Sequence, residues 1–159
     1  MKNILSTGQE AQLTHRMKNP HTLDWERLGM LYLRLALGAS FLSGIADRFG
    51  LYRGRNVGYG DFAGFIHYTA KVNSFMPASA IPFLAWAATA LELSFGIALV
   101  LGVWLRWTAL GSSLLLVLFG TAMAISFGIK SPLDYSVFSA SAGALVLAMY
   151  EFRKLKSKP

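Results

Sequence analysis

Two ionisable residues stand deep inside apolar runs of this sequence. Arg34 lies in LYLRLALGASFLSG (Leu31–Gly44), and Glu92 lies in LAWAATALELSFGIALV (Leu84–Val100). A charge near a bilayer centre costs at least about 2.5–3.5 kcal/mol on insertion scales, and an inward-facing, paired position offsets that cost. At about 1.5 Å per residue, Arg34 falls roughly 9 Å from one membrane boundary and Glu92 roughly 15 Å from the other. In a hydrocarbon core about 30 Å thick their depths differ by about 6 Å. A long arginine side chain spans much of that gap, so the expectation is an Arg34–Glu92 ion pair. Two kinds of chemistry suit such a pair. It fixes helix register and does nothing else, or it centres a polar cavity that binds a ligand headgroup or relays a proton.

A second group of charges closes the helices on one side. Asp47 and Arg48 end the first apolar run, and Lys130 and Asp134 flank Pro132 before the last. Asp134 stands at or next to a helix start, where a carboxylate caps free amides. The alternative is a charged mouth above the Arg34–Glu92 pair, roofed by Tyr59, His67 and Tyr68. The three histidines, His15, His21 and His67, all lie outside the apolar runs. Haem ligation across the membrane therefore lacks ligands, and no spacing suggests a zinc site, so no metal is expected. Cysteine is absent, which removes thiolate chemistry and cysteine-held clusters. No phosphate-binding loop, dinucleotide fingerprint or hydrolase signature occurs. The chain does not read as a complete enzyme.

Four apolar runs must position these residues: about Leu28–Ala46, Ile81–Val103, Trp107–Phe127 and Tyr135–Tyr150. A spanning helix needs roughly 20 residues, with about 17 as a lower limit. The fourth run is short and begins near Leu133 if extended. Charged residues make up only 14% of the chain, against about a quarter in soluble domains. The expected fold is all-α: an integral membrane four-helix bundle over 28–150. A polar tail (1–27) precedes it and a basic tail (151–159) follows it. The polar stretch before the first run is too long for a signal peptide's basic leader, which favours a retained helix. Within the long first loop, Phe62, Phe65, Ile66 and Thr69 recur at helical spacing, so Asp61–Asn73 reads as an interfacial helix. Aromatic anchoring at the headgroups is its plain role. Small residues four apart, such as Ser40 with Gly44, Ala88 with Glu92 and Gly96, Gly120 with Ala124, Ser139 with Gly143 and Ala140 with Ala144, permit close helix packing.

The net charge is +7. There is no basic helix face with interleaved aromatics, so nucleic acid is not an expected partner, and membrane lipid is. Lys2, Arg16, Lys18 and Arg27 lie in the first tail, Arg106 in the second connection, and Arg153, Lys154, Lys156 and Lys158 in the last tail. The third connection has Lys130, and the first loop has Arg53, Arg55 and Lys71. Both termini are therefore expected in the cytoplasm.

Three segments, LRLALGASFLSGIADRFG, LAWAATALELSFGIALVLGVWLRWTAL and SPLDYSVFSASAGALVL, resemble the DoxX family (DoxX/DoxD-like) of small four-helix bacterial membrane proteins. GDFAGFIHYTAKVNSFMP resembles the first-loop region of one subgroup. The resemblance covers about residues 28–150. It implies the bacterial cytoplasmic (inner) membrane and a quinone-linked redox subunit, with quinone as the candidate cofactor and none attached covalently. Arg34, Glu92, Gly96, Gly102 and Arg106 match the family pattern, and Asp134 and Tyr135 match the subgroup's loop. Many relatives carry histidine before the glycine near the end of the first helix; here Ser43 precedes Gly44. A site built on that reading comprises Arg34, Glu92, Asp47, Tyr59, His67, Tyr68, Lys130, Asp134 and Tyr135. Its partners would be a redox subunit or a second copy of the chain. The rival reading is a non-enzymatic membrane scaffold or assembly partner of a redox complex. A solute carrier fits less well, since no inverted repeat or broken helix is visible.

Overall fold

The structure, a computed structural model, describes residues 24–52 and 58–156. Residues 1–23 of the expected first tail, with His15 and His21, loop residues Arg53 and Arg55, and residues 157–159 of the expected last tail lie outside that range. Among the described residues there is no strand. Helix α1 runs Trp25–Arg48, α2 Phe62–Val72, α3 Ile81–Leu101, α4 Leu105–Phe127, α5 Lys130–Asp134 and α6 Val137–Lys156, with one 3₁₀ turn at Ala78–Ala80 before α3. Three of them, α1, α3 with its leading turn, and α4, are long and apolar enough to cross a membrane. The last helix is long enough, but Glu151, Arg153 and Lys154 interrupt its apolar stretch.

Local chemistry sets the ends. Asp24 caps α1 by accepting the amide of Arg27, and Asp61 caps α2 by accepting that of Gly64 at 2.7 Å. Pro82 sits in the first turn of α3, where a missing N–H costs nothing. Gly102 ends α3 in the left-handed region at φ 78°, and its amide bonds back to the Ala98 carbonyl. The expected extension of the last helix back to Leu133 does not occur. Ser136 takes a positive φ of 55°, which separates short α5 from α6.

The interior mixes an apolar core, with Leu37, Phe41, Leu99 and Leu147, with small polar side chains, and the exterior is strongly apolar. Ser112, Ser113, Ser141, Thr89 and Thr108 are buried, whereas Tyr32, Phe83, Leu101, Leu118 and Ile125 are exposed. Large apolar side chains facing outward suit lipid contact, and the small buried hydroxyls allow close approach and interhelical hydrogen bonds. Helix α4 packs along α6 and α1 along α3. The Ser141 hydroxyl donates to the Ser113 carbonyl at 3.0 Å, across α4 and α6. At Gly38 an added Cβ would stand 2.8 Å from Val100 and 3.1 Å from the Gly96 carbonyl oxygen. The α1–α3 backbones meet there.

That contact fixes the register of the antiparallel α1–α3 pair. Gly38 lies against Gly96 and Val100, Gly44 against Glu92, Arg48 against Thr89, and Arg34 against Gly102. Helix α1 therefore ends level with Thr89, about halfway along α3. The first eight residues of α3 continue roughly 12 Å beyond it. Helix α2 packs against α3 and α4 as well as α1 on that side. Its Phe62 ring lies 4.3 Å from Trp86, and its Val72 carbonyl accepts from Ser126 at 2.6 Å.

Candidate functional site

The offset of α1 against α3 buries a charge at a helix end. Arg48 is the last residue of α1, yet it is only 4% exposed, and so is Glu92. Arg48 Nη2 donates to both Glu92 oxygens at 2.7 and 2.8 Å, and Arg48 Nη1 donates to the Thr89 hydroxyl at 3.1 Å. Its guanidinium carbon stands 3.6 Å from the centroid of Phe65 and 5.9 Å from that of Tyr59. A cation also suits the C-terminus of α1, where the helix dipole is negative. Gly44, one turn before Arg48, leaves room for the carboxylate; an added Cβ would touch Glu92 Oε2 at 3.5 Å.

The expected Arg34–Glu92 pair is thus corrected: Glu92 pairs with Arg48. Arg34 lies level with Gly102, ten residues along α3 from Glu92, or about 15 Å. No arginine side chain reaches that far. Arg34 Nη1 lies 2.9 Å from where a Cβ on Gly102 would be, and Arg34 Nε has no hydrogen-bond partner among the described residues. It stands beside the α3–α4 turn, at the end of two apolar helices, and not at their middle.

Asp47 is buried and holds the loop over this centre. Its carboxylate accepts the Gly58 amide at 3.0 Å and the Tyr59 amide at 2.8 Å. Tyr59 then packs edge-on to Phe65 at 5.0 Å and against Tyr68 at 5.2 Å. Burial and the neighbouring Tyr68 push the Tyr59 phenol up to about 12. Burial likewise raises Tyr68, with Tyr135 adding to it.

The other members of the expected mouth do not join the centre. His67 is exposed, on α2 between the buried Phe65 and Thr69. Lys130 and Asp134 pair with each other one turn apart at the surface, and neither bonds to Arg48 or Glu92. Asp134 is the last residue of α5. Tyr135 is 74% exposed. Among the described residues no cluster of three metal-ligating side chains exists.

Arg48 is the residue that sequence reasoning left out of the site, as one of two charges closing the first helix. The signal that could have found it is the glycine pattern. Aligning Gly38 with Gly96 as the point of backbone contact puts Glu92 opposite Gly44 and Thr89 opposite Arg48.

No curated protein matches this chain, and no solved structure does. The family model described as DoxX matches residues 29–128, well over half of the chain, from the second turn of α1 to the glycine that ends α4. With three apolar helices of spanning length and a lipid-suited exterior, the chain is a multi-pass membrane protein of the DoxX family.

Proposed function

We infer that this DoxX-family protein is a quinone-linked redox subunit of a bacterial inner membrane, with the Arg48–Glu92 pair as its polar intramembrane centre. In this reading α6 is the fourth spanning helix, α2 is an interfacial helix covering the pair, and both termini are cytoplasmic. The observation that carries it is an orphan donor. Arg48 Nε is buried and has no hydrogen-bond partner among the described residues, while both Nη groups are engaged. An unpaired buried donor is costly, about 1–3 kcal/mol, and native structures keep few of them. A quinone carbonyl is an acceptor of the right type, and the rings of Phe65 and Tyr59 beside the guanidinium suit a flat conjugated ring. Bound quinone would supply two-electron redox chemistry. The chain's own residues would donate a hydrogen bond from Arg48 and hold a proton at the Glu92 carboxylate.

A second reading has its own support. Phe65 already lies over the guanidinium, and Glu92 already neutralises it. Such a filled pair serves a scaffold or assembly partner of a redox complex, in which Arg48 clamps α2 to the bundle. Purification in mild detergent followed by solvent extraction separates the two. Quinone at near-stoichiometric ratio, lost on Arg48→Gln, supports the redox reading. Absence of quinone, together with no thermal shift on adding a short-chain quinone, ends it. A stoichiometric protein partner recovered without quinone favours the scaffold.

A further inference from the structure

At the opposite end of the bundle from Arg48, a cavity of about 250 Å³ opens between the α3–α4 turn and α6. Trp104, Leu105 and Arg106 line one side, and Glu151, Lys154 and Leu155 the other. Its position relative to lipid is fixed by chain length alone. Residues 102–104 are all that separate two helices of spanning length, so the turn must lie at a membrane boundary.

Three features give the cavity a chemistry. It carries two cations, Arg106 and Lys154, against one carboxylate, Glu151, which pairs loosely with Lys154 at 3.9 Å. Among the described residues Arg106 forms no ion pair, and its guanidinium lies 5.8 Å from the Trp107 ring. Among the described residues no side chain caps the start of α4 at Leu105. Trp104 is held in the left-handed region at φ 46°, ψ 40°, and is 81% exposed. That conformation costs a non-glycine residue about 1–2 kcal/mol, and it presents an indole at the level where tryptophan favours the headgroups. Leu101 and Val103, just before Trp104 in the chain, are exposed apolar residues. The volume is below the roughly 300 Å³ at which pockets for whole organic cofactors begin, so it suits a headgroup.

We propose that this cavity binds the phosphate of an anionic glycerophospholipid, with Arg106 and Lys154 as the phosphate ligands and Trp104 as the interfacial anchor. The glycerol backbone lies against Trp104 and the acyl chains run along Leu101 and Val103. The site stands apart from the Arg48–Glu92 centre and does not depend on the quinone reading.

Native mass spectrometry of the full chain in mild detergent tests it, with phosphatidylglycerol, phosphatidylethanolamine and phosphatidylcholine added in turn. One cation near a lipid surface contributes about 1 kcal/mol, or roughly a fivefold preference. The wild type should retain phosphatidylglycerol at least about fivefold over phosphatidylcholine, and Arg106→Gln should lose roughly that factor. Arg27→Gln, which removes an exposed cation at the start of α1, should leave the preference intact. Lys154→Gln provides an independent loss if Arg106→Gln unfolds in a melting control. Equal retention of all three lipids overturns the proposal, and so does full preference in a folded Arg106→Gln variant. Displacement of the lipid by inorganic phosphate also overturns it, by assigning the cavity to a free anion.

Discussion

The Arg48 guanidinium sits over the Phe65 ring, 3.6 Å from its centroid, and so ties the end of α1 to the middle of α2. This contact joins a helix of the bundle to the short aromatic helix above it. It makes the stability of α2 depend on a charge pair that α1 and α3 create.

The first prediction concerns that pair. Removing one partner of a buried ion pair costs about 3–5 kcal/mol, because the other charge is left unpaired. Arg48→Met and Glu92→Leu should each destabilise the protein by that order. The double variant should be more stable than the sum of the two losses implies. Thermal unfolding in detergent across the four proteins measures the coupling. Simple additivity would show that the pair does not act as a unit in the folded protein.

Phe65 should matter locally. Phe65→Ala removes a buried ring, typically about 3–5 kcal/mol in a core, along with its contact to the cation. Amide hydrogen exchange should accelerate across 62–72 while the centres of α3 and α4 stay protected. Uniform acceleration throughout the bundle would contradict a local clamping role for this contact.

Two glycines in α1 should respond differently to the same methyl group. At Gly38 a Cβ meets Val100 at 2.8 Å and the Gly96 carbonyl oxygen at 3.1 Å, so Gly38→Ala must spread the helices. At Gly44 the nearest atom is 3.5 Å away, an ordinary contact. Gly38→Ala should lower the melting temperature, and Gly44→Ala should leave it nearly unchanged. Equal effects would mean that the α1–α3 register differs from the one described.

Alkaline pH should loosen the loop through Tyr59. Its phenol is raised from 10.0 to about 12 by burial first and Tyr68 second. A group whose folded value exceeds its unfolded value binds its proton more tightly in the folded state. Its stabilising effect is full below pH 10 and is lost as pH rises from about 10 to about 12. Spectroscopic titration should show one late tyrosinate step that Tyr59→Phe removes, and that variant should lose stability less steeply above pH 10. A titration unchanged by the substitution would place Tyr59 in water.

The topology invites a direct measurement, since the chain has no cysteine of its own. Ser74→Cys, between α2 and α3, should react with a membrane-impermeant reagent applied to intact spheroplasts. Arg153→Cys, near the end of α6, should react only after permeabilisation. The reverse pattern would invert the orientation.

Much of the architecture was legible in the residues, and particular elements show why. The run Ile81–Val103 became α3, ending two residues earlier at Leu101 because Gly102 could take a positive φ. Asp61–Asn73 became α2, capped by Asp61 as an aspartate before Phe62 and Phe65 should be. Apolar length, caps and glycine stops act within a turn or two of the chain, so the chain order alone exposes them. Glu92 was identified as an intramembrane charge in need of a partner, and that need came from the cost of burying it.

The partner's identity required three dimensions. Counting depth from the ends of each apolar run assumes that helices start level, and α1 and α3 are instead offset by about half a helix. That offset follows from where backbones approach most closely, at Gly38 and Gly96, and contact between segments almost sixty positions apart leaves no mark in local periodicity. Composition, apolar length and capping residues thus determined that this is a helical membrane protein with a costly buried carboxylate. Interhelical packing decided that Arg48, and not Arg34, neutralises it, because register between helices is set by side-chain and backbone volume that only the folded assembly brings together.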